Sequence, residues 1–244
     1  MILSARGADT RRMILSRCMN EMKIIARIYN DYTSKFGIPR QSGLVESENS
    51  LIVFEPEFRA EEALRGIEES NYIWLIWEFS EFKDTKWSPT VRPPRLGGNK
   101  RLGVFATRSP HRPNPIGLSA VKLTGKIKTP GSGTALTVSG ADLMNGTPIY
   151  DIKPYIPYAD IKPDAVNHLF DNPREKFKVM IPDGINLPIT KEKAETLKEI
   201  LSLNPAPRYI DDPERIYGMS YGGLNIKFKI SDKTVTVTEI TEEQ

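Results

Sequence analysis

The sequence predicts a mainly β protein in two parts: a strand-rich domain over residues 22–160 and a small α+β unit over 161–244. Three observations predict it. Short β-branched and aromatic runs recur through the first part, divided by turn formers. Their connections are irregular, which favours a barrel or a sandwich over a parallel sheet. From about Lys162 the texture becomes polar and proline-broken, with a single helical pattern and a single clean hairpin.

The elements follow in order. "MKIIARIY" (Met22–Tyr29) reads as a strand, and the turn-rich "NDYTSKFGIPRQSG" as a loop. "LVESENSLIVFE" (Leu44–Glu55) reads as one or two short strands around a turn at Glu48–Ser50. Pro56–Glu69 spaces Phe58, Ala63, Leu64 and Ile67 helically, which predicts a short helix. "YIWLIWEF" (Tyr72–Phe79) has the length and composition of a strand buried on both faces. Its Trp74 and Trp77 read as core, with stacking on an adenine as the alternative. Further strands are expected at Leu102–Thr107, Gly117–Ile127 and Thr134–Leu143, and Asn145-Gly146 marks a turn. Thr190–Leu203 predicts a helix with Thr190 as N-cap and Ala194, Leu197 and Leu201 on one face. "GLNIKFKISDKTVTVTEI" alternates around Ser-Asp-Lys, a β-hairpin. Its Lys227, Lys229 and Lys233 read as a solvated face, or as an RNA-contacting one.

Composition sets bounds. Lys and Arg number 34 against 31 Asp and Glu, a net charge of +3, so the sum alone does not establish nucleic-acid binding. The single cysteine, Cys18, excludes an internal disulfide and a cysteine zinc cluster, and points to a reducing, cytoplasmic setting. No apolar run approaches the roughly 20 residues of a membrane span. The first 21 residues read as a flexible extension, with folding beginning near Met22.

Charge is concentrated between Ser88 and Ile116. Pro89, Pro93, Pro94, Pro110, Pro113 and Pro115 lie there with Arg92, Arg95, Lys100, Arg101, Arg108 and Arg112, and without one Asp or Glu. Each proline fixes φ and removes a donor while keeping its carbonyl as an acceptor. The segment therefore predicts a stiff cationic surface suited to carboxylate or phosphate. With His111 and His168 as the only histidines, a multi-histidine metal site is excluded. Phosphate-loop, dinucleotide and nucleophile-elbow motifs are absent. Without a nucleophile–base pair or a metal, such a pocket suits pure binding, or a reaction that needs mainly positioning. Methyl transfer from a sulfonium is one. A metal-dependent hydrolase is disfavoured.

"PRQSGLV", "TVRPPRLGG", "GVFATRSPHRPNPIGLS" and "DIKPYIPYAD", in that order, resemble the TsaA-like family of tRNA N6-threonylcarbamoyladenosine methyltransferases (TrmO). The resemblance covers Met22–Asp160, and "PAPRYIDDPERIYG" with the tail is similar to the longer bacterial members. It implies a TsaA-like β-barrel domain followed by a small C-terminal α+β domain. It implies a homodimer that uses S-adenosyl-L-methionine to methylate threonylcarbamoyladenosine beside the anticodon of tRNA, without a metal. The cofactor contacts it implies fall on Pro39, Arg40 and Gln41, on Phe79 and Ser80, on Arg108 and Leu118, and on Asp142, Leu143, Met144 and Asn145. Ser80 departs from the histidine of some relatives, and Asn145 from the aspartate that is frequent there. Arg112 and Asn114 are the expected catalytic residues, Arg108 and Arg112 meeting the anions of the substrate.

Overall fold

The computed structural model describes residues 22–82, 86–93, 96, 100–170, 175–206 and 212–243; the leading 21 residues and Arg95 lie outside that set. Six strands make the first sheet: β1 (Ala26–Tyr29), β2 (Asn49–Phe54), β3 (Tyr72–Glu78), β6 (Ile116–Thr129), β7 (Gly133–Ser139) and β8 (Pro148–Pro154). The short β4 (Thr90–Val91) and β5 (Leu102–Gly103) pair with each other between β3 and β6. The order β1-β2-β7-β6-β3-β8, with β8 pairing back to β1, is antiparallel throughout and closes into a barrel.

Alternation decides which residues fill it, because successive strand side chains point to opposite faces. Ile28, Ile52, Ile73, Leu75, Leu136, Val138, Leu143 and Ile149 point inward and are fully buried. The apolar run of β3 is therefore not buried on both faces as its composition suggests. Ile73, Leu75 and Trp77 are inside, while Trp74 and Ile76 are half-buried on the outer face.

Two other expectations change. The helix expected over Pro56–Glu69 is three separate 3-10 turns, at Pro56–Phe58, Glu61–Leu64 and Ile67–Glu69. Ala60 and Arg65 are extended (ψ 124° and 122°) and interrupt it. The strand expected over Leu102–Thr107 is only β5, followed by a 3-10 turn at Val104–Ala106.

The second part is mostly sheet rather than an even mixture of helix and strand. β9 (Lys178–Met180), β10 (Tyr217–Tyr221), β11 (Leu224–Ser231) and β12 (Thr234–Glu242) order as β10-β11-β12-β9, with β9 parallel to β12. The expected hairpin is β11–β12, turning at Asp232 and Lys233, both at positive φ as a primed two-residue turn requires. One helix, α1 (Lys191–Ser202), packs here, its Thr190 cap accepting from Lys193 N at 3.3 Å. Leu197, Ile200 and Leu201 are its buried face, meeting Ile226, Phe228, Val235 and Val237.

Candidate cofactor and substrate site

Four segments supply the expected residues: the β1–β2 connection, the end of β3, the loop before β6 and the turn after β7. A polar chain joins the end of β3 to the turn after β7 through Ser119 on β6. Trp77 Nε1 donates to Ser119 Oγ at 3.0 Å, and Ser119 Oγ in turn donates to Asp142 Oδ1 at 2.5 Å. An indole N–H can only donate, so the Ser119 proton is left for the carboxylate. Gly117 makes room for this arrangement, since a Cβ there would sit 2.2 Å from the Trp77 ring.

Burial pushes the Asp142 carboxyl up to about 6; the Ser119 hydroxyl, the Arg108 charge and the Ser42 N–H oppose that rise. Arg108, itself exposed, donates to Gln41 Oε1. Gln41, Arg108, Ser119 and Asp142 thus form one cluster with a cation on its rim and a carboxylate at its base. Phe79 meets Trp77 at 4.2 Å with the rings tilted by 57°, Phe82 meets Phe79 edge-on at 6.4 Å, and Phe82 meets His111 edge-on at 4.9 Å. An aromatic line therefore runs from the barrel core to the cationic loop.

The loop is held by its own carbonyls, as its prolines predict. Phe79 N donates to Pro115 O at 2.8 Å, Arg112 N to Pro110 O at 2.8 Å and Val104 N to Pro89 O at 3.0 Å. Arg112 is part of that brace. Its Nη1 donates to Thr107 O at 2.7 Å, with longer contacts to Ser109 O and Val104 O, and its guanidinium lies 5.8 Å from the Phe105 ring. Arg101 Nε donates to Thr90 Oγ1 at 3.0 Å. Among the described residues of this stretch, no cation forms an ion pair with a carboxylate.

The remaining expected residues are placed as follows. Pro39 is buried, and Arg40 and Ser80 are exposed. Leu118 is exposed on the outer face of β6. Asn114 is exposed, its carbonyl accepting from Ile116 N. The Leu143 side chain is buried in the barrel core, so only its backbone faces outward chemistry, and that carbonyl accepts from Asn30 Nδ2. Met144 is half-buried. Asn145 Oδ1 accepts from Asn30 N at 3.1 Å, tying this turn to β1. Trp74 Nε1 donates to Asp160 Oδ2 at 2.9 Å on the barrel exterior, and Trp77 is core. No group of three or more His, Cys, Asp or Glu among the described residues could hold a metal. Ser119 had no place among the expected site residues, and Trp77 entered only as an alternative, stacking on an adenine. The available signal was a serine at an inward position of a strand whose other inward residues, Val121 and Leu123, are apolar.

Fold and site together define a two-part β protein whose barrel carries a half-buried carboxylate beneath an exposed arginine. Residues 27–161 match the tRNA-methyltransferase O N-terminal domain and residues 187–243 the TrmO C-terminal domain. The chain is 36% identical over 217 residues to the tRNA (adenine(37)-N6)-methyltransferase of Escherichia coli K12, covering 85% of this chain and 92% of that one. It is 41% identical over 161 residues to the protein of the same name from Eikenella corrodens, covering 66% of this chain and 90% of that one. A crystal structure of TrmO from Pseudomonas aeruginosa aligns with a TM-score of 0.72 at 29% identity, over 92% of this chain and 99% of that one. The chain belongs to the tRNA-methyltransferase O family.

Proposed function

We propose that this protein transfers a methyl group from S-adenosyl-L-methionine to the N6 nitrogen of N6-threonylcarbamoyladenosine, next to the anticodon of tRNA. The observation that carries the reading is the Gln41–Arg108–Asp142–Ser119 cluster. The E. coli and Eikenella relatives, named as tRNA (adenine(37)-N6)-methyltransferases, support the reaction class. A Pseudomonas relative named a putative S-adenosylmethionine-dependent methyltransferase supports the cofactor.

The residues present fit that cofactor. It is a cation with hydroxyl and ammonium donors and an adenine. The cluster offers a partly desolvated carboxylate as acceptor, an amide that can both donate and accept, and the aromatic rings of Phe79 and Trp77 beside them. The family resemblance adds Pro39, Arg40, Ser80, Leu118 and the backbone of Leu143, Met144 and Asn145 to the proposed contacts. When bound, the cofactor supplies a methyl group already activated on sulfur. The protein's own task is then to orient the acceptor nitrogen and exclude water. The exposed Arg108 meets the threonine carboxylate or an adjacent phosphate and stabilises charge that develops as the acylated nitrogen is attacked. Arg112 holds the loop that presents it, with Asn114 at the exposed tip. An unpaired anticodon-loop base enters such a pocket without melting a duplex.

A homodimer is part of the reading. On the outer face of the barrel, Ile76 pairs with Leu118, Trp74 with Ala120 and Glu78 with Ile116. Leu118 and Ile116 are 58% and 38% exposed, an apolar strip that a second copy would cover. No described helix is long and apolar enough to cross a membrane. Mass spectrometry of tRNA nucleosides from a deletion strain tests the function. Methylated threonylcarbamoyladenosine disappears and its unmethylated parent accumulates; an unchanged nucleoside profile overturns the reading.

A further inference from the structure

The connection between β1 and β2 holds Pro39, Arg40 and Gln41, yet its apolar residues belong to the core of the second sheet, not to that of the barrel. Tyr32 and Val45 are fully buried in a cluster with Leu197, Leu201, Met219, Tyr221 and Leu224. Phe36, Ile38 and Leu44 pack against the same cluster, so both flanks of Pro39–Gln41 rest on it. At Gly37 (φ 99°) an added Cβ would lie 2.5 Å from Met219 Cε. Polar contacts lock the same junction. Tyr221 Oη donates to the buried Glu48 at 2.8 Å, Lys193 Nζ meets Asp31 at 2.6 Å and Ser47 Oγ donates to Glu199 at 2.6 Å. The barrel side contributes Gly43 N to Gly140 O and Asn145 N to Tyr32 O, each at 2.8 Å.

We propose that the second sheet is a positioning element for the cofactor site: Met219 and Tyr221 on β10 hold the β1–β2 connection in the arrangement that presents Gln41 to Arg108. The inference rests on the reading that Gln41 and Arg108 contact the cofactor. It assigns the sheet a role inside the molecule rather than a grip on RNA. The charge pattern agrees, because the hairpin lysines that would contact phosphates are already neutralised: Lys227 by Glu239, Lys229 by Glu214 and Lys233 by Glu175.

The test compares Met219→Ala, Met219→Leu and Tyr221→Phe in the full chain. Calorimetry measures S-adenosylmethionine affinity, filter binding measures affinity for a tRNA anticodon stem-loop, and hydrogen exchange reports amides 38–44 without ligand. Met219→Ala weakens cofactor binding about tenfold, since displacements far from a site cost one to two decades. Exchange at 38–44 quickens, and RNA affinity stays within about twofold. Met219→Leu, which keeps the volume, recovers the wild-type value. Tyr221→Phe acts in the same direction and carries the test if Met219→Ala does not fold. Unchanged cofactor affinity in both variants, or RNA affinity that falls while cofactor affinity holds, overturns the proposal. If the wild type binds no S-adenosylmethionine, it is the cofactor reading that fails. Exchange at 38–44 then decides the positioning role: quickened in Met219→Ala it stands, unchanged it falls.

Discussion

The cationic stretch before β6 and the hairpin of the second sheet carry similar charge and use it oppositely. In the hairpin every lysine named above meets a glutamate at 2.6–2.9 Å, on surfaces where such pairs contribute little. In the stretch before β6, Arg101, Arg108 and Arg112 meet a hydroxyl, an amide and carbonyls, and among the described residues none forms an ion pair with a carboxylate. A net charge of +3 conceals this entirely. What matters for an anionic partner is where counter-charges are withheld, and the absence of Asp and Glu from residues 88–116 already says where.

The largest test of that comparison is Arg112→Ala. The substitution removes the brace as well as a charge, and kcat/KM falls about a hundredfold. Arg112→Lys recovers little, because a point charge cannot reproduce the planar fork. Wild-type turnover in Arg112→Ala would return the loop to ordinary scaffolding.

An intermediate effect comes from pH. The Asp142 carboxyl, raised from 3.8 to about 6, offers a negative charge to a cationic cofactor only while ionised. Cofactor affinity therefore drops about tenfold per unit as pH falls below about 6. Stability has the opposite sign. The folded protein binds this proton more tightly than the unfolded chain, so the group's contribution favours folding as pH falls from about 6 toward 3.8. Ser119→Ala removes a hydrogen bond that favours the carboxylate, and the acid limb of cofactor binding moves to higher pH. A limb that stays in place would detach Ser119 from Asp142.

The smallest effect is expected where charges are paired. Replacing Lys227, Lys229 and Lys233 together by Ala changes anticodon stem-loop affinity by less than about twofold, and stability by at most about 1 kcal/mol per pair. A tenfold loss of RNA affinity would erase the distinction between the two regions.

Local signals made much of this legible. The strands of the barrel, the Asp232–Lys233 hairpin, the Thr190 cap and the cationic loop each rest on period-2 alternation, turn chemistry or composition over a few residues. Three features were not legible for physical reasons. The spacing at Pro56–Glu69 is helical, yet extended residues divide it into 3-10 turns. Ser119 looks like any strand serine until Trp77 and Asp142 are brought to either side of it. The apolar residues from Tyr32 to Val45 have no period, because they fill gaps in a surface made elsewhere. Their partners lie far off in sequence, as with Tyr32 and Tyr221, whose rings lie 6.0 Å apart.

That separation in sequence sets an order of events at the ribosome. The barrel has all its strands once Pro154 has emerged, but the neighbours that bury Tyr32 and Val45, from Leu197 to Val237, are made well after it. At ordinary rates of synthesis the gap is on the order of ten seconds. A nascent chain thus has a closed barrel well before the segment around Gln41 can settle, and a prematurely ended one leaves that segment without its floor.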